Sequence, residues 1–134
     1  MVQKVIISFC IALYAIGVPL LELNDTHVFS SNWTPHARLH EVWQLIANSS
    51  LGFLSLWLLW FQDKVILSAV ISLLITGSLL LACLLQDTYG GSIIYAGGGD
   101  STVLGFNTGA MAAGLVTALL VVSLCMELLR SKES

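Results

Sequence analysis

The stretch "SLGFLSLWLLWFQDKVILSAVISLLITG", residues 50–77, sets two long apolar runs on either side of one short polar turn, Gln62-Asp63-Lys64. Neither run alternates polar with apolar residues, which excludes the strands of a closed barrel. In lipid the backbone must satisfy its own hydrogen bonds, so helices are the remaining fit. So brief a turn leaves no room for an excursion, and the two helices must be antiparallel neighbours. Spanning the hydrocarbon layer takes about 20 apolar residues as helix. Working outward from the turn, four segments meet that length: 2–23, 35–61, 65–85 and 104–129. The expected fold is all-α, an integral membrane four-helix bundle filling one domain, residues 1–134, with longer loops at 24–34 and 86–103.

Composition agrees. Hydrophobic residues make up 57% of the chain and charged residues only 10%, with a mean hydropathy of +0.89. Soluble domains carry about a quarter charged residues, and a soluble chain of 134 residues could not hide this much apolar surface in its own core. A net charge of -3 with scattered basic residues makes no nucleic-acid footprint. Cys10, Cys83 and Cys125 each fall inside an apolar run, without the spacing of a disulfide framework or a metal motif. Lys4 followed by an apolar run looks like a secretory leader. That run, however, continues to Leu23 without a small-x-small cleavage site, so it is expected to stay as a helix.

Basic residues orient the bundle. Lys4, Lys64, Arg130 and Lys132 fall on one side and Arg38 alone on the other. By the positive-inside rule both termini and the 62–64 turn are cytoplasmic, and a bacterial inner membrane is the expected setting. Small and hydroxylated residues mark the expected helix contacts. Ser68, Ser72 and Thr76 form one stripe, and Gln44, Asn48 and Ser55 another. Gly105 and Gly109 read as a GxxxG, continued by Ala113 and Thr117, through which a membrane-protein partner or a second copy would dock. The polar stripes are expected to glue the bundle by hydrogen bonds or to line a cavity opening toward the external face.

All three histidines, His27, His36 and His40, lie between residues 27 and 40. Thr34 suits a helix cap and Pro35 the first helical position, so His36 and His40 fall four apart on one face of the first turns. Two such imidazoles share a metal readily, and His27 from the loop would complete three ligands. Zinc is the default divalent ion, with iron or copper as alternatives. Asp25, Glu41, Asp87 and Asp100 are further candidate ligands or bases, and nothing in the pattern chooses among them. The competing reading is an interfacial polar cap, in which the histidines bond loop carbonyls and Arg38 pairs with Glu41 or Glu22. A proton relay is a third. Bis-histidine haem is disfavoured, because two histidines share a helix and the third is in a loop. Asn24-Asp-Thr and Asn32-Trp-Thr match glycosylation sequons, which occur often by chance.

The run "THVFSSNWTPHARLHEVW", residues 26–43, resembles a motif of small four-helix membrane proteins with a T-H-x-F-N-x-x-W-x-x-H-A-R-x-H-x-x-W pattern. Thr26, His27, Phe29, Trp33, His36, Ala37, Arg38, His40 and Trp43 match, and Ser30 stands where the pattern has asparagine. The resemblance implies that the cluster acts as a unit and brings no activity with it. Two functions follow as expectations. One is a metal- or ligand-binding site at the external face, acting on a lipid-like or small amphipathic molecule. The other is a non-catalytic accessory subunit of a larger membrane complex. A proton-coupled transporter is weaker, because no charge lies deep in a span and no inverted repeat is visible in the sequence.

Overall fold

A computed structural model of the chain describes residues 1–94, 102–103 and 105–133. The first helix runs Val2–Glu22 in three pieces: α1 (Val2–Ala12), a π-helical turn (Leu13–Gly17) and α2 (Val18–Glu22). Then follow α3 (Pro35–Phe61), α4 (Val65–Tyr89), a two-stranded hairpin of β1 (Thr102–Val103) and β2 (Phe106–Asn107), and α5 (Thr108–Glu133). Four helices are thus long and apolar enough to cross a membrane. Among the described residues the fold is all-α apart from the hairpin, in which Thr102 pairs with Asn107 and Val103 with Phe106.

The helices form a ring in chain order. Helix α4 packs against α3 and α5, and the first helix closes the ring by packing against both α3 and α5. The core lies in the half of the bundle nearer the termini and the 62–64 turn. There Ile7, Cys10 and Ile11 meet Leu59, Ala69 and Leu120, all fully buried. Large apolar side chains also point outward all round, Leu84 at 82% exposure and Leu20 at 73% among them. A surface this apolar suits lipid and not water.

The π turn has a cause in the sequence. Pro19 has no N–H to give the carbonyl of Ala15, four residues earlier, and its ring would press on that carbonyl. The helix widens there to a π turn, a common answer to strain in the ladder. Ser49 of α3 supplies the missing partner, its hydroxyl donating to the Ala15 carbonyl oxygen at 2.8 Å.

The starts and stops of the other helices follow local chemistry. Thr34 caps α3 by accepting from the Ala37 N–H at 3.2 Å. Pro35 takes the first position, as its fixed φ and missing donor favour. Helix α4 runs to Tyr89, one turn beyond the apolar run, and stops where Gly90 takes the left-handed conformation at φ 69°, a common helix ending. Helix α5 differs more from expectation. It starts at Thr108 instead of 104, because Gly105 sits at φ 82° between the hairpin strands, a conformation that glycine adopts without penalty. The Asn107 carboxamide oxygen then accepts from the N–H groups of Gly109 and Ala110, capping the helix. Gly105 and Gly109 therefore do not form one helical GxxxG face. A Cβ on Gly105 would meet nothing within 4 Å, so that glycine serves the turn and not a helix crossing within the chain.

Candidate functional site

The end of the bundle opposite the termini carries the histidine segment. Asn24 builds its first turn. The side-chain oxygen accepts from the N–H groups of Thr26 and His27, at 2.7 and 3.1 Å, in an Asx turn. Val28 and Ser30 then dip into the bundle end, at 4% and 2% exposure. Arg38 fastens this loop to α3, its guanidinium donating to the Ser30 carbonyl oxygen at 2.6 Å. The expected pairing of Arg38 with Glu41 or Glu22 is therefore not what holds it, and its Nε is buried without a hydrogen-bond partner among the described residues.

His36 and His40 come together as helix geometry requires. Their Nε2 atoms are 3.0 Å apart, one carrying the proton and the other accepting it, with the rings edge to face. Both rings are exposed, and the His40 ring lies 5.9 Å from that of Trp43. His27 has partners of its own. Its Nδ1 is 2.8 Å from the Thr26 hydroxyl and its Nε2 is 3.5 Å from a Glu22 carboxylate oxygen. The Asx turn sets the His27 ring toward the end of α2. Glu41 is within electrostatic reach of both His27 and Glu22, so two carboxylates share one imidazole here.

The remaining expected ligands stay apart. Asp25 is exposed in the loop turn, and Asp87 is exposed near the far end of α4. Asp100 lies outside the described residues. Among the described residues no group of three or more His, Cys, Asp or Glu is placed to hold a metal ion. Cys10, Cys83 and Cys125 are free thiols, as their spacing implied.

Beside the histidine pair, a cleft of about 470 Å³ is lined by Asn32, Trp33, Thr34, Ala37, His40, Glu41 and Gln44. Ala37, His40, Glu41 and Gln44 are one face of α3 at helical spacing, and the loop supplies the others. Asn32, Thr34 and Ala37 were not singled out from the sequence as site residues. The signal for Ala37 was there, since continuing the Gln44 face outward along the helix reaches it. The cleft offers hydrogen-bonding side chains of both kinds, one carboxylate and one indole wall. No protein-family model, curated protein sequence or solved structure matches this chain.

Proposed function

We propose that the chain is a small integral membrane protein of a bacterial inner membrane that binds the polar head of a lipid-like amphiphile at its external face. The orientation rests on the basic residues: Lys4, Lys64, Arg130 and Lys132 at the terminal end, Arg38 at the other, read by the positive-inside rule. The binding reading is carried by the cleft between the loop and α3. It sits at headgroup depth beside lipid-facing Leu39 and Trp43, at 64% and 65% exposure. An amphiphile in the outer leaflet would reach it sideways, with its chain in lipid and its head against Glu41, Gln44 and Asn32. A carboxylate at the wall favours a head that donates hydrogen bonds, and the Trp33 face favours a cationic one. The test is titration of the detergent-solubilised protein with a short-chain phosphatidylethanolamine, read by tryptophan fluorescence. Saturable binding is expected, weakened at least tenfold by Glu41→Gln and by replacing the ethanolamine with choline, which has no N–H. Absence of saturation with either lipid rejects the reading.

A second reading rests on the His36–His40 distance. Two imidazole nitrogens about 2.0–2.1 Å from one ion and 3.0 Å from each other subtend about 95° at it. That angle suits neighbouring positions of a tetragonal Cu(II) or Ni(II) ion better than tetrahedral zinc. Water molecules would complete the shell. Cu(II) titration followed by electron paramagnetic resonance should show two coordinated nitrogens, lost in His36→Ala or His40→Ala and kept in His27→Ala. Equal copper uptake in all three variants sinks it.

A further inference from the structure

Several buried hydroxyls of the bundle gather at one depth, with Ser68 below them and, above, Thr76 and the Thr117 hydroxyl, which is buried without a hydrogen-bond partner among the described residues. The Lys4–Asp63 ion pair, 2.8 Å, marks the terminal end, and Arg130 lies within electrostatic reach of the same carboxylate. Depth above that end follows by counting along each helix from Phe61, Val65 and Arg130. At a rise of ~1.5 Å per residue, Ser55, Ser72 and Ser123 each stand about 9–11 Å up their helices. Tyr14 of the first helix joins them there, its hydroxyl hydrogen-bonded to that of Ser72 at 3.1 Å. Each of the four helices thus contributes one hydroxyl to a single layer, and Ser68 lies one turn below on the Ser72 face.

Ser55, Ser68, Ser72 and Ser123 are all 0% exposed. The hydroxyls of Ser55, Ser68 and Ser123 have no hydrogen-bond partner among the described residues. Of these, the Ser55 hydroxyl lies closest to the Tyr14 phenol, near hydrogen-bonding reach of it. In hydrocarbon nothing outside the bundle can satisfy these groups, and an unmade buried hydrogen bond is more expensive than a made one is favourable. Three helices give this layer a small side chain, Ser55, Ser72 and Ser123, and the first helix gives it Tyr14 from the π turn. Several converging polar atoms surrounded by small side chains are the conditions under which buried water is retained.

We propose that this layer is a water-binding site, holding a small cluster of water molecules that bridge Ser55, Ser68 and Ser123 to the Tyr14–Ser72 pair. Each hydroxyl offers one donor and two acceptor positions, enough for a bridging water to find the few partners it needs. The site is separate from the external cleft. Between them lies a close helix contact, Gly52 against Ala15. The water therefore lies in the terminal half of the bundle, on the other side of that contact from the cleft.

The sign of a stability change decides the proposal. In a dry layer, Ser55→Ala, Ser68→Ala and Ser123→Ala each remove an unsatisfied group and raise the melting temperature. In a hydrated layer each strands a water and lowers it by several degrees. A rise or no change in all three overturns the proposal. Water-edited solid-state NMR on the unaltered protein in bilayers decides the matter if the variants do not fold. Polarisation should pass from water to Ser55, Ser72 and Ser123 faster than to Leu59 and Leu120 of the same core, and equal build-up would overturn the site.

Discussion

Gly52 of α3 lies so close to Ala15 that a Cβ built on the glycine would collide with the Ala15 Cβ and stand 3.1 Å from the Tyr14 ring. The Ala15 methyl is fixed to its backbone and has no rotamer by which to withdraw. Gly52→Ala should therefore push α3 off the first helix, at about 1–3 kcal/mol of overpacking. Thermal melts in detergent should show it clearly. Gly114→Ala is the control: a Cβ there meets nothing within 4 Å, so that variant should melt unchanged or slightly higher through helix propensity. Equal behaviour of the two variants would remove Gly52 as the contact that sets this crossing.

The hydrogen bond from Ser49 to the Ala15 carbonyl exists because Pro19 withholds an N–H. Ser49→Ala should destabilise by about 1–3 kcal/mol, since it strands an acceptor away from water. In a Pro19→Ala background the helix supplies its own donor, so the same change should matter much less. A double-mutant cycle measures that coupling. Strict additivity would mean that the proline and the serine are unrelated.

Asp63 links the turn to the first helix. A hydrogen bond from the Lys4 ammonium, reinforced by the charges of Lys4, Arg130 and the N-terminus, holds its carboxyl below the ordinary value of 3.8. A depressed carboxylate contributes stability that is fully present above the unfolded value and lost as pH falls through the folded one. Asp63 is fully exposed, so the contribution is small and weakened by salt. The melting temperature should fall on acidification below about pH 4, and less so in Asp63→Asn. An identical acid limb in that variant counts against the pair.

Orientation is open to direct labelling. With Cys10, Cys83 and Cys125 replaced, a cysteine at Ser31 should react with a membrane-impermeant maleimide on intact cells. One at Gln62, which leaves the Lys4–Asp63 pair intact, should react only after lysis. The reverse pattern inverts the bundle and moves the cleft to the cytoplasm.

The helix count, the short antiparallel turn, the Thr34–Pro35 start of α3 and the closeness of His36 to His40 were all legible in the sequence. Each depends on neighbours along the chain: an apolar run's length, a cap's side chain, a four-residue period. What the chain lacked was any statement of distance across space. His27 looked equivalent to the other histidines until Asn24 turned it toward Glu22. Gly105 and Gly109 had the spacing of a helix contact, but a left-handed glycine turned the chain into a hairpin before the helix began. Gly52, an ordinary glycine in an apolar run, proved to be the crossing point, because only the meeting of two helices makes a missing side chain necessary. Local hydrogen bonding and periodicity determined the elements. Packing between elements decided which polar groups face one another, and with that the sites, since burial and partnership are properties of the assembled bundle and not of any one segment.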